Sequence, residues 1–217
     1  MEALFISILA DESMHEALKA KFIEGNPLFM SFVAIVLIIG LTFCIERIVY
    51  LALADINTKM FLSKLEKLYK EGGKNTALEH CRNTRGPVAS ICFQGLLHSE
   101  ETSEDIERTV ASYADVEVAK LEKGCSWITL FIAIAPSLGF LGTVIGMVMA
   151  FDDIETAGDI SPTIVAGGMK VALITTIFGI ISAVILQVFY NYILSRIEHL
   201  TSQMEQAAIE LVEILRK

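Results

Sequence analysis

The residues best placed to handle a proton are two threonines, each set deep in a long uncharged stretch. Thr143 lies in APSLGFLGTVIGMVMAF (135–151), where Gly139, Gly142, Thr143 and Gly146 recur three and four apart. At helical spacing these share one face that is nearly bare of side chains except for the hydroxyl. Such faces let helices approach closely in lipid, so the glycines read first as packing residues. Pro136 removes a backbone donor from the same stretch. Thr176 lies in VALITTIFGIISAVILQVFYNY (171–192), with Ala172, Gly179, Ala183 and Tyr190 on its side and Thr175, Ser182 and Gln187 close by. A lone Thr in a span can bond back to the carbonyl one turn earlier. Two of them on small-residue faces suggest a shared polar lining, and a ring of copies would turn that lining into polar belts within a pore.

The carboxylates are elsewhere. Proton relays inside membranes use Asp, Glu or His, and none occurs in residues 28–45, 124–151 or 171–195. Hydroxyls alone line a proton path without carrying the proton, so a partner must supply the acid. Glu46 stands 18 residues beyond Leu28, about 27 Å along a helix, which reads as an interfacial pair with Arg47. Lys170 is expected to snorkel to the opposite surface. His15, His80, His98 and His199 show no ligand spacing and read as solvated. Cys44, Cys81, Cys92 and Cys125 are too scattered for a CxxC motif and read as packing residues. No metal or cofactor is expected; the ion such a lining could pass is a proton.

The elements that hold these residues follow from composition. The chain is 53% hydrophobic and 20% charged, with a mean hydropathy of +0.57, which is too apolar for an ordinary soluble domain. A bilayer core about 30 Å thick takes about 20 helical residues to cross, and the three uncharged stretches supply three spans. The expected fold is an all-α integral membrane protein with long cytoplasmic helical extensions. Its expected parts are an N-terminal segment 1–27, spans at 28–50, 127–151 and 171–195, a helical region 51–126, a short connection 152–170 and a C-terminal helix 196–217. Residues 4–9 are too short and lack a basic flank for a signal peptide, so the first span is expected to stay in the mature protein.

Charge orients the spans. Eleven of the 17 Lys and Arg lie between Arg47 and Lys123, and cytoplasmic loops collect such residues. Acidic Asp152, Asp153, Glu155 and Asp159 fill the other connection. This predicts an outer N-terminus and an inner C-terminus. A net charge of −9 argues against nucleic-acid binding. Residues 1–24 carry Met14, Leu18 and Phe22 at helical spacing and suggest either an interfacial helix or a loosely ordered tail. Apolar Phe61, Leu65 and Leu68 precede a stop at Gly72–Gly73, and 88–97 is strongly apolar. A capping signature at 102–105 opens a helix with Ile106, Val110, Tyr113 and Leu121 on one side, expected to run unbroken into the second span. Ile197, Leu200, Met204, Ala207, Leu211 and Ile214 alternate three and four apart, a seam that suggests neighbouring copies.

The stretches 135–151 and 171–192, with the order one span, long inner region, two spans, resemble the MotA/TolQ/ExbB family of proton channels. The three-span plan is similar to ExbB, or to TolQ. The resemblance implies a homo-oligomer, a pentamer, around single-span ExbD- or TolR-type helices whose Asp cycles through protonation. It further implies a TonB- or TolA-type protein as the recipient of the work, in a bacterial inner membrane. By motif position the family's pore threonines correspond to Thr143 and Thr176. Many members carry a Glu five residues before the second threonine; Val171 stands here, preceded by Lys170. A motor subunit, not an enzyme, is the leading expectation. The alternatives are a structural scaffold whose glycine faces only pack helices and a secondary transporter, for which three spans without an internal acid are poorly suited.

Overall fold

The computed structural model describes residues 16, 19, 22, 25–158 and 162–216, apart from the side chains of 157 and 164. The interfacial helix or loose tail expected over 1–24 falls outside them except at Glu16, Lys19 and Phe22, as do His15 and Asp159. The described chain is helical: α1 (Pro27–Ala54), α2 (Thr58–Asn83), α3 (Pro87–Leu97), α4 (Ser103–Leu121), α5 (Cys125–Ala157) and α6 (Pro162–Arg216). Three of these, α1, α5 and α6, contain windows long and apolar enough to cross a membrane. Their apolar surface is mostly outward-facing, with Ile38, Phe140, Val148, Leu173 and Val188 all more than half exposed. In water that would be prohibitive, whereas lipid is as apolar as these side chains. The molecule is a multi-pass membrane protein.

Contacts divide the chain into two compact units: residues through Phe43 with Trp127–Phe189, and Cys44–Ser126 with Tyr190–Lys217. In the first, the three apolar helices meet through small residues. A Cβ on Gly40 would lie 2.8 Å from Leu186, and one on Gly142 would lie 3.3 Å from the Cβ of Phe29. Helix α5 continues through Pro136.

The second unit has its own core, built from Leu62, Leu65, Ile91, Cys92, Leu96, Val110 and the inner side of α6. The starts of α2, α3 and α4 have local causes. The Asn57 side chain accepts from the Met60 N–H at 3.1 Å, Pro87 opens α3, and Thr102 caps α4 by accepting from the Asp105 N–H. Gly86 is held at φ +113, with a hypothetical Cβ 2.6 Å from the Ala54 carbonyl oxygen, so only glycine fits there. Thr84 and Gly86 separate α2 from α3, and at the Gly72–Gly73 stop the helix kinks, with Gly73 at φ +74, and then continues to Asn83.

Four expectations are corrected. Helix α4 does not run unbroken into the second span: it ends at Leu121, and Gly124 at φ +89 turns the chain before α5 begins. Left-handed backbone cannot continue an α-helix. The seam from Ile197 to Ile214 needs no second copy, because all six residues are buried within this chain. A Cβ on Gly95 of α3 would touch Leu211 at 2.4 Å and Val110 of α4 at 3.0 Å, which shows what fills the seam. Tyr113 is exposed rather than sharing the buried side of Ile106, Val110 and Leu121. His80 is half-buried rather than solvated: it stacks on Phe61 at 5.2 Å, its Nε2 is buried without a partner, and burial, reinforced by Lys64, lowers its pKa.

Candidate functional site

Helix α5 brings Gly139, Gly142, Thr143 and Gly146 to α6, which answers with Ala172, Thr175, Thr176 and Gly179. The backbones approach so closely that a Cβ on Gly139 would lie 2.9 Å from the Thr175 carbonyl oxygen and 3.0 Å from the Thr176 Cα. One on Gly179 would lie 2.6 Å from the Ala135 carbonyl oxygen and 3.1 Å from the Gly139 Cα. Gly146 faces Ala172, whose Cβ would be 3.1 Å away. Glycine on both helices is therefore what permits the contact, and the contact in turn puts the hydroxyls of one helix beside the carbonyls of the other.

The result is a cluster of three hydroxyls and two carbonyls. Thr143 and Thr176 join hydroxyl to hydroxyl. Thr176 also reaches the Gly139 carbonyl at 3.1 Å. Thr143 has two carbonyl acceptors in range, Ala172 at 3.1 Å and Gly139 at 3.3 Å. Thr175, fully buried, donates to the Ala172 carbonyl at 2.7 Å, with Gly139 at 3.3 Å as a longer alternative. Thr143 and Thr176 are only partly buried, so the paired hydroxyls sit at the edge of the helix contact, with Thr175 behind them. An alcohol both donates and accepts. An edge pair of alcohols can thus accept a proton-bearing acid's hydrogen bond or donate to the ionised form, while having no proton of its own to release near neutrality.

Of the other sequence-selected residues, Ser182 and Ala183 are buried on α6, and Gln187 is exposed and outside the hydroxyl cluster. Val171 lies one turn before the cluster and is partly exposed, so no carboxylate stands where the family pattern has one. Glu46 and Arg47 form the expected ion pair; the Arg47 guanidinium is buried over the Tyr50 ring, 4.7 Å from its centroid. All four cysteines are buried and none is in a disulfide, and burial pushes the Cys81 thiol up to about 12. No group of three metal-ligating side chains occurs among the described residues.

Two features escaped the sequence reading. Gly168 packs on Ala150, whose Cβ would be 2.3 Å from an added Cβ, which extends the α5–α6 contact by another turn. The small-residue run from Gly168 through Ala172 to Gly179 was the available signal. In the second unit Arg196 donates to Asp55 at 2.7 Å, and Thr58 donates to Gln203 at 3.0 Å. The only hint of that network was an acid and a base just past the ends of the first and third apolar stretches.

A family model described as the MotA/TolQ/ExbB proton channel family matches residues 83–206, more than half of the chain. A Methanothermobacter thermautotrophicus protein named putative biopolymer transport protein ExbB homolog is 30% identical over 186 residues, covering 85% of this chain and 63% of that protein. The biopolymer transport protein ExbB of Neisseria meningitidis serogroup B is 29% identical over 147 residues, covering 68% of this chain and 63% of its own length. The Tol-Pal system protein TolQ of Pseudomonas aeruginosa is 26% identical over 158 residues, 70% of this chain and 68% of that one. The chain thus spans under two thirds of the length of the first two relatives.

Proposed function

This chain belongs to the MotA/TolQ/ExbB proton channel family, closest in character to ExbB, and from that premise we propose that it is the pore-lining subunit of a proton-driven motor in a bacterial inner membrane. The observation that carries this reading is the Thr143–Thr176 hydroxyl pair at the edge of the α5–α6 contact, in stretches without a single Asp, Glu, Lys, Arg or His. Polar side chains set inside spans and turned toward neighbouring helices mark ion pathways. Copies of the chain form a ring, a pentamer by family resemblance, that encloses single-span helices of the ExbD or TolR type. The Asp of such a helix takes the proton, and Thr143 and Thr176 receive that side chain in its protonated and ionised forms. With Val171 in place of the usual Glu, the partner's Asp is the sole carrier. The N-terminus is periplasmic and the C-terminus cytoplasmic. The work passes to a TonB- or TolA-type protein. No cofactor and no enzymatic step are involved.

The test is the double variant Thr143→Val, Thr176→Val, which preserves shape and removes both hydroxyls. Proton flux through the reconstituted complex is expected to vanish while the complex assembles normally. A scaffold role is favoured by one observation, that every hydroxyl in the cluster already has a partner within the chain. Normal flux in the double variant would decide for the scaffold.

A further inference from the structure

The proton count of the cluster is unbalanced, and Thr175 sets the imbalance. Inside α5 the Gly139 carbonyl accepts the Thr143 N–H, and inside α6 the Ala172 carbonyl accepts the Thr176 N–H, as helix geometry dictates. A carbonyl oxygen has two lone pairs, so each retains one. Three hydroxyl protons compete for those two places. Thr175 takes Ala172 with the shortest contact, 2.7 Å. Thr176 takes Gly139 at 3.1 Å. Thr143, whose alternatives are Ala172 at 3.1 Å and Gly139 at 3.3 Å, finds both occupied; of the two directions open to the Thr143–Thr176 pair, this competition selects Thr143 as the donor.

We propose that Thr175 is a positioning residue: by holding the spare lone pair of the Ala172 carbonyl, it denies the Thr143 hydroxyl a resting place and keeps that proton available to an incoming carboxylate. This inference rests on the pore reading above. The proton of Thr143 lies on another hydroxyl, which can itself accept and donate, so turning it outward requires no backbone carbonyl to be stripped. Without the Thr175 hydroxyl, Thr143 settles on Ala172 at its existing distance. The buried position of Thr175 means that it never meets the carboxylate itself. No Asp, Glu, Lys, Arg or His faces the cluster from residues 28–45, 124–151 or 171–195. The other ionisable positions are Cys44, Cys125, Tyr190 and Tyr192 near the ends of these stretches and Glu46, Arg47, Lys123, Asp152, Lys170 and Arg196 just outside them.

A hydrogen bond to the ionised form of an acid lowers its pKa. Loss of an available donor therefore raises the pKa of the carboxylate that the pore receives. The measurement uses the complex drawn from its host membrane by a tag on this chain, reconstituted in vesicles with a pH-sensitive dye, with flux followed across a pH series. In Thr175→Val the pH of half-maximal flux is expected to rise by about one unit, and Thr175→Ser is expected to restore the wild-type midpoint. Thr175→Ala, which adds no bulk, is measured beside them and carries the same expectation if the Val variant does not assemble. An unchanged midpoint in the hydroxyl-free variants, at any flux amplitude, overturns the assignment, as does a Ser variant that behaves like Val. Thr143→Val, Thr176→Val in the same vesicles separates the two levels. Lost flux there with an unmoved Thr175→Val midpoint removes only the role of Thr175, whereas retained flux removes the pore reading and this inference together.

Discussion

Gly139→Ala is the sharpest perturbation of the contact that holds the hydroxyl cluster. The added Cβ would stand 2.9 Å from the Thr175 carbonyl oxygen, 3.0 Å from the Thr176 Cα and 3.3 Å from the Gly179 Cα. Comfortable carbon contacts begin at about 3.5 Å, and all three neighbours are backbone atoms with no rotamer to change. The helices must therefore separate by about 0.5–1 Å. That displacement carries the Thr176 hydroxyl, now 3.1 Å from the Gly139 carbonyl, out of hydrogen-bonding range. Overpacking of this kind costs about 1–3 kcal/mol, and the lost hydrogen bond adds about 1 kcal/mol. Alanine's better helix propensity returns at most about 1 kcal/mol, so the net change is destabilising. Gly167→Ala is the matched control: it is on the same pair of helices, with nothing within 4 Å of its Cβ, so it keeps the propensity gain alone. Thermal unfolding in detergent, followed by Trp127 fluorescence, should place Gly139→Ala below wild type and Gly167→Ala at or above it. A Gly139→Ala protein as stable as Gly167→Ala would refute the close-approach reasoning.

Leu211→Ala removes a fully buried side chain from the seam of the second unit and should cost about 2–5 kcal/mol in chemical unfolding. Because that seam is filled within the chain, the loss should not vary with protein concentration; a concentration-dependent loss would return the seam to an interface between copies. His80 supplies a pH prediction. Its folded pKa lies below the ordinary 6.5 because burial, and then Lys64, disfavour the cation. Its contribution to stability is thus complete above 6.5 and declines as pH falls through the lower folded value. His80→Gln should flatten the acid side of a stability-against-pH curve, and an unchanged slope would discard the assignment.

The three spans were legible in the residues themselves, because an uncharged stretch of about 20 residues has few fates other than lipid. So were the cap at Thr102, the interruption at Gly73 and the glycine faces of 135–151 and 171–192, since each depends on neighbours close in sequence. Thr143 and Thr176 were legible as a pair by analogy and by spacing. Their joining to Gly139 and Ala172, and the central place of Thr175, were not. Those depend on which carbonyl of one helix lies opposite which hydroxyl of another, some 30 residues away.

The turn at Gly124 was hidden for a related reason: the residues on both sides favour helix, and a single glycine in such a run is compatible with continuing or stopping. The Ile197–Ile214 seam shows the same limit, for a three-and-four repeat states that a face must be covered and leaves the cover open. Sequence alone determined the solvent of each segment and the faces that had to be small, because transfer energy and local sterics act residue by residue. Tertiary structure decided what covers each face and which carbonyls each hydroxyl meets, because those are set by contacts between helices, and a change of a single ångström there reassigns them.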